Sequence, residues 1–299
     1  MPINKETLVG DLQKLGVRRG DILNVKASLR SVGKIEGGVE ALIGAILEVI
    51  GPEGTMVTDS FINVYGPFNS KFRDEVADQT TPSYAGALAN AMIKHPGSVR
   101  STHPVQKFVL IGRDAKLLSE GHDANAYAYE VLRRMAERDG RNLKIGPDET
   151  VPGVGTTHVA IGLAKFRQRR PKAGVRYKDE RGETKTFYRN WSGGCMQAFY
   201  NLNALYERTP GAVIARGKIG EAPCKLTSMK VTLAAELDFL KQKPAEFLRC
   251  GNPECIQCKF SWEGFEDSFA EYALRKIRVG DFAAVREAFR VRFIDPFPF

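Results

Sequence analysis

Gly20-Asp21-Ile22-Leu23-Asn24-Val25-Lys26-Ala27-Ser28-Leu29-Arg30-Ser31-Val32-Gly33 is the stretch that decides the fold. Gly20-Asp21 turns the chain into Ile22–Val25, a short β-rich run, and Lys26 to Gly33 reads as a small, polar loop. From Gly38 to Ile50 the apolar residues fall at Leu42, Ile43, Ile46, Leu47 and Ile50, the spacing of one helix face. Gly51-Pro52-Glu53-Gly54 breaks that helix, and Thr55–Thr58 reads as a second strand. Strand, polar loop and helix in this order form a ligand-binding arrangement of α/β folds.

Outward from this unit the alternation continues. Residues 4–16 read as a helix with Asn4 or Thr7 as cap, Leu8, Leu12 and Leu15 at helical spacing and Gly16 at its end. Asp59 to Thr81 is a polar loop of a length that compact domains use for function. Helices are predicted at Ala85–Lys94, Asp114–Ser119, Ala126–Arg138, Val159–Phe166, Cys195–Glu207 and Met229–Lys241, and strands at Phe108–Gly112 and Leu143–Ile145. The class is therefore α/β, with helices packed on a central sheet. The 299 residues, 43% hydrophobic and 26% charged, exclude a disordered or fibrous chain. The longest apolar stretch, Val39 to Ile50, is interrupted by Glu40 and Glu48 and falls short of the ~20 residues of a membrane span, so no membrane partner is expected. Without an apolar signal core, and with an odd count of five cysteines, the expected location is cytoplasmic.

Net charge is +9, concentrated between Lys165 and Arg189, where ten basic residues face only Asp179, Glu180 and Glu183. The segment reads as alternating strands around Glu180-Arg181-Gly182. Such a stripe attracts nucleic acid, an acidic cofactor or an anionic substrate. Nucleic acid is disfavoured, because the neighbouring aromatics, Trp191 among them, match no RNA-binding signature.

Several stretches resemble the aminoglycoside 3-N-acetyltransferase family: Gly16–Asp21 running into Ala27–Gly33, Gly37–Ala41, Gly51–Thr55, Arg100-Ser101-Thr102-His103-Pro104, Gly153–His158, Gly193-Gly194-Cys195 and Gly217–Leu226. Their order and spacing match across roughly residues 5–250. The resemblance implies a three-layer α/β/α sandwich with a mixed central sheet. It also implies transfer of an acyl group from acetyl-CoA, or another acyl-CoA, to an amine. The chain is divided accordingly into an acyltransferase domain, 1–248, and a C-terminal extension, 249–299, packed on it. A loop of small residues suits phosphates because its backbone N–H groups approach them closely. Lys26, Ser28, Leu29, Arg30, Ser31, Val32 and Gly33 supply that loop, and Ser101, Thr102 and His103 belong to the family's second coenzyme segment. Lys26-Ala27 stands where the family usually has His-Ser.

An alkylammonium has no free lone pair, so the acceptor amine must lose a proton before it attacks, and a group with a pKa near 6.5 suits that task. Of the four histidines, His95 closes a helix before Pro96-Gly97 and reads as structural, while His122 lies beside Asp123 in a loop. His158 occupies the position of the family's catalytic histidine. Relatives carry an orienting glutamate after the Gly-Cys motif where this chain has Asn203, which leaves Glu207 and Asp123 as substitutes. Asp59, Asp74, Glu75 and Asp78 could line an acidic pocket for a cationic acceptor, with Tyr65 stacking on a sugar ring and His122 nearby. The expected partners are an aminoglycoside-like or other small-molecule amine and a second copy of the chain. The alternative is a basic binding or regulatory module on a catalytically degenerate acyltransferase fold.

Cys250, Cys255 and Cys258 place three thiols within nine residues, a spacing that can hold a structural zinc ion if Cys195 or Cys224 supplies a fourth ligand. The same cluster would serve a metal-dependent hydrolase.

Overall fold

The computed structural model describes residues 2–66, 70–151, 153–168, 173–189, 194–265 and 267–294. Arg169, Arg170 and Lys172 of the basic segment, with Trp191 and Gly193, lie outside the described residues. The chain begins with α1 (Lys5–Lys14), capped by the Asn4 side chain, which accepts from the Thr7 amide. β1 (Ile22–Ala27), α2 (Leu29–Val32), α3 (Gly38–Ile50) and β2 (Thr55–Asp59) follow. Then come β3 (Val76–Ala77), α4 (Ala87–Lys94), β4 (Val99–Arg100), β5 (Phe108–Gly112), α5 (Ala115–Ser119), α6 (Glu130–Glu137) and β6 (Arg141–Ile145). The second half adds α7 (Thr156–Leu163), β7 (Gly174–Lys178), β8 (Thr184–Tyr188), α8 (Met196–Asn201), α9 (Asn203–Arg208), β9 (Val213–Ile219), β10 (Ala222–Ser228) and α10 (Met229–Gln242). α11 (Pro244–Leu248), α12 (Ile256–Phe260), α13 (Phe269–Arg278), α14 (Phe282–Phe289) and a π-helical turn, Arg290–Ile294, close the described chain.

Seven strands form one sheet in the order β4-β5-β2-β1-β6-β10-β9, and β3, β7 and β8 form a smaller one. At the centre β1 runs parallel to both β2 and β6, whereas β5 and β10 pair antiparallel on either side, so the sheet is mixed. Strand side chains alternate between faces. Leu23, Val25, Met56, Val109, Ile111, Leu143 and Leu226 pack with α1, α3 and α4 on one face. Ile22, Val57, Phe108 and Leu110 pack with α5, α6, α7 and α10 on the other. The result is the three-layer α/β/α arrangement. Among the described residues no helix is long and apolar enough to cross a membrane.

Lys26 to Gly33, expected as an open loop, continues β1 through Ala27 and then makes one helical turn. The cause is tertiary: Ala27 pairs with Ile145, the Ser28 amide donates to the Ile145 carbonyl (2.8 Å), and the Val32 carbonyl accepts from Glu221 (3.0 Å). The β9–β10 hairpin thus clamps α2. Gly220, at φ +57°, permits the clamp, because a Cβ there would stand 2.6 Å from the Val32 carbonyl oxygen. In the C-terminal segment, Trp262 is buried in the main core and its Nε1 donates to the Leu248 carbonyl (3.1 Å).

Candidate active site

Because β1, β2 and β6 are parallel, their carboxyl ends share one edge of the sheet, where open α/β sheets take ligands. The antiparallel strands bring the start of β5 and the β9–β10 turn to the same edge. Lys26 at the end of β1 and Asp59 at the end of β2 form an ion pair of 3.1 Å, so a residue assigned to the coenzyme and one assigned to the acceptor hold each other. Beyond them Ser28 and Ser31 share a hydroxyl–hydroxyl hydrogen bond (2.8 Å), Leu29 is half-buried, Arg30 is exposed, and Val32 is in the core. Gly33, at φ +97°, would bring a Cβ within 3.2 Å of the Glu221 carboxylate. The turn is closed by the Ser31 amide, which donates to the Ser28 carbonyl (2.9 Å). With two hydroxyls and the Arg30 cation beside them, these residues fit a phosphate-bearing coenzyme.

The second expected coenzyme segment faces inward. Ser101 is buried and its hydroxyl accepts from the Phe108 amide (2.9 Å). His103 is fully buried, with Nδ1 accepting from the amides of Val105 (3.2 Å) and Gln106 (3.0 Å). His122 is fully buried as well, stacked on His103 at 5.1 Å with Nε2 against the Ala128 carbonyl. Desolvation lowers the pKa of His103 to about 3 and of His122 to about 4, which keeps both neutral. Neither ring offers an open face to a coenzyme or an acceptor, and both serve to build the strand edge. A Ser-Thr-His run does not show whether its side chains turn in or out. Only Thr102 of the three opens on a cleft.

That cleft, of about 650 Å³, runs between the Asp123 loop and the β7–β8 hairpin, with Asp78, Asp123, Tyr177 and Glu180 in its walls. Lys185 of the hairpin pairs with Asp179 (2.5 Å), which neutralises part of the basic segment. Tyr65 bridges to Gly174 through both backbone groups, placing it against this smaller sheet. The Arg73 guanidinium lies 5.7 Å from its ring centroid.

His158 stands in the first turn of α7, half-buried. Tyr129 stacks on its ring at 4.4 Å and Phe199 of α8 meets it edge-on at 5.2 Å. Tyr127 fixes the backbone beneath by donating its hydroxyl to the His158 carbonyl (2.5 Å). Two glycines make this packing possible. A Cβ on Gly155 would lie 2.6 Å from Leu132, and one on Gly162 would lie 2.2 Å from the Tyr127 ring.

Asp123 and Glu207, expected to orient the histidine, make their recorded contacts elsewhere. Asp123 accepts from the Asn125 amide (2.8 Å) in the cleft wall. Glu207 pairs with Arg216, which lowers its pKa, and with Lys225 (3.5 Å). A carboxyl that sequence reasoning missed is Glu236 of α10. It is fully buried and accepts through Oε1 from the hydroxyls of Thr157 (2.6 Å) and Tyr206 (2.6 Å), directly beside His158 in sequence. Burial raises its pKa to about 7. The signal was present: Met229, Thr232, Glu236 and Leu240 fall on one helix face, so a glutamate sits in a buried stripe.

The Sγ atoms of Cys195, Cys250, Cys255 and Cys258 all lie within 4.8 Å of one another. Cys224 is apart from them, on β10, with its thiol against the Ala222 carbonyl.

Comparison with known proteins agrees with this architecture. The profile of the aminoglycoside 3-N-acetyltransferase family matches residues 25–241. The chain therefore belongs to that family. An aminoglycoside N(3)-acetyltransferase III from Salmonella is 35% identical over 175 residues, 53% of this chain and 60% of the relative. The chain spans 60 to 63% of the length of the first curated relatives it matches. The solved structure of AAC-VIa bound to sisomicin superposes with a TM-score of 0.69 at 26% identity, covering 81% of this chain and 99% of that one. AAC-IIIb in binary complex with CoASH shares the fold at a TM-score of 0.69 and 22% identity, over 81% of this chain and 98% of that one.

Proposed function

We propose that this protein is an acyl-CoA-dependent N-acyltransferase that moves an acetyl group directly to an amine of an aminoglycoside-like or other amino-sugar acceptor. Membership of the family supports the reaction class, and the relatives' names support the acceptor class. The observation that carries the reading is the setting of His158. Of the four histidines, two are buried and held neutral, and His95 is turned onto the Pro96 carbonyl (2.8 Å). His158 alone combines the family position with a half-buried side chain whose ring is set by Tyr129 and Phe199.

Acetyl-CoA would supply the acyl group as an activated thioester. The α2 turn, through Ser28, Arg30 and Ser31, would hold the phosphates. His158 acts as general base and accepts the ammonium proton, freeing the lone pair for attack on the thioester carbonyl; as the C–N bond forms the C–S bond breaks, the coenzyme leaves as the thiol with one amine proton, and the other is released to solvent. Tyr129 and Phe199 restrict rotation of the ring, so little orientational freedom remains to be lost when the acceptor arrives. The cleft beside Thr102 and Asp123 receives the polycation, with carboxylates of Asp78, Asp123 and Glu180 facing its ammonium groups.

The test is thiol release from acetyl-CoA with a panel of aminoglycosides and amino sugars. Release that depends on both substrates is the expected result. A protein that binds no coenzyme A by calorimetry, or releases no thiol with any amine, would overturn the reading.

A further inference from the structure

We infer that Cys195, Cys250, Cys255 and Cys258 form a closed tetrathiolate site for one zinc ion, which staples the C-terminal helices to the helix that packs on His158. Two segments distant in sequence converge there, the one at Cys195 and the one at residues 250–258. Cys195 is the N-cap of α8, Cys250 follows α11, and Cys255 and Cys258 open α12 three residues apart, on one helix face. The five cysteines of the chain form no disulfide. Within the cluster, Cys195 and Cys255 lie 3.7 Å apart at sulfur, and Cys250 and Cys258 lie 3.6 Å apart. A disulfide needs about 2.05 Å. Four sulfurs each about 2.3 Å from one zinc ion, at the corners of a tetrahedron, stand about 3.8 Å from one another. The observed spacings are those of the second arrangement.

The surroundings also suit a thiolate. The Cys250 amide donates to the Cys258 sulfur (3.3 Å), and Gly251, at φ +78°, with the Asn252 turn folds the intervening loop back so that Cys255 faces Cys250. Asn201 donates to the Cys250 carbonyl (3.2 Å), tying α8 to the same loop. Four thiols bound to zinc release four protons in total, and the ion replaces them as the common partner of four sulfurs. Four protein ligands leave no coordination position for substrate, so the ion is structural and the hydrolase reading does not apply to it. Its reach toward the site runs through α8. Phe199 stands one helical turn beyond Cys195 and meets the His158 ring edge-on.

The full chain, purified without chelator, should contain about one zinc per molecule and no iron by elemental analysis. Cys195→Ser and Cys255→Ser should each lose most of that metal, while Cys224→Ser keeps it. Where a ligand variant does not fold, wild-type protein produced in cobalt-supplemented medium should show the intense visible bands of tetrahedral tetrathiolate cobalt(II). Chelation should move the NMR signals of the His158 imidazole, a readout independent of any transferase activity. Metal-free wild-type protein, stoichiometric iron in place of zinc, or a Cys195→Ser variant that keeps its zinc would each overturn the site. Zinc loss that leaves the His158 signals in place would overturn its link to α8.

Discussion

Glu236→Gln should make the protein more stable above neutrality, and the size of the gain can be worked from its setting. The carboxyl is fully buried, and burial raises its pKa from the ordinary 4.5 to about 7. A carboxyl with a raised folded pKa favours the folded state in full below 4.5, and that contribution is lost as pH climbs through 7. At about 1.4 kcal/mol per unit, a span from 4.5 to 7 amounts to about 3 kcal/mol. Glutamine keeps an acceptor for the Thr157 and Tyr206 hydroxyls and cannot ionise. Its amide N–H groups take the place of Oε2, and leaving them poorly paired costs about 1 kcal/mol. The variant should therefore gain about 2 kcal/mol over wild type at pH 8 and lose about 1 kcal/mol at pH 4.5. Urea unfolding of both proteins at pH 4.5, 6 and 8 measures this. The comparison has to be a difference, because His103 and His122 act with the opposite sign. Their lowered pKa values let the unfolded chain take up protons first, so they cost stability as pH falls below 6.5. Wild type and variant changing in parallel from pH 4.5 to 8 would refute the assignment of a protonated Glu236.

His158→Ala should lower turnover by about 10²–10⁴-fold with coenzyme A affinity nearly unchanged, as measured by steady-state kinetics and calorimetry; turnover within a few fold of wild type would remove the base. Between pH 6.5 and 4.5 the two buried histidines should lower wild-type stability by about 2.7 kcal/mol per unit, half offset by Glu236, and His122→Phe should remove half of the histidine contribution. Gly162→Ala sets a methyl where the Tyr127 ring lies and should cost about 1–3 kcal/mol on a denaturation curve, with the Tyr127–His158 hydrogen bond displaced. Lys26→Met strands the mostly buried Asp59 carboxylate and should cost more than the ~0–1 kcal/mol of a surface pair; adding Asp59→Asn should restore part of the loss.

Local signals in the sequence carried the elements whose physics is local. The helix Gly38–Ile50 and the strand Phe108–Gly112 were read at the bounds observed, because periodicity and glycine punctuation act within a few residues. The basic hairpin around Gly182 was legible for the same reason. What was not legible depended on distant partners. Residues 29–32 became a helical turn because the 213–228 hairpin closes over them, and that hairpin itself was not read as strands, since Arg216-Gly217-Lys218 breaks the apolar alternation. The site divides in the same way. That His158 lies at a helix entrance could be read from the glycine-rich turn before it, whereas the inward facing of Ser101, His103 and His122 follows from packing on Phe108 and Phe187. The pairing of Glu207 with Arg216 and Lys225 is likewise a tertiary result.

The basic segment, which by itself suits an anionic ligand, takes a different meaning once the hairpin is placed. Lys185 is held by Asp179 and stands 3.5 Å from Glu183 as well, so one of the cations beside the cleft is already compensated. Asp179 also accepts from the Arg181 and Glu183 amides (2.9 Å each), and its pKa is lowered, chiefly by Lys185. The turn is thus organised around a carboxylate and presents Glu180 beside it, opposite Asp78 and Asp123. A cleft of mixed sign with acidic groups on both walls can receive several ammonium groups at once while its cations turn away anions. Raising the salt concentration should therefore weaken acceptor binding, since surface attractions are screened within about 10 Å at 0.1 M. Asp123→Asn should raise KM for the acceptor several-fold and leave KM for acetyl-CoA unchanged. An acceptor KM indifferent to both changes would mean that the amine is bound elsewhere on the sheet edge.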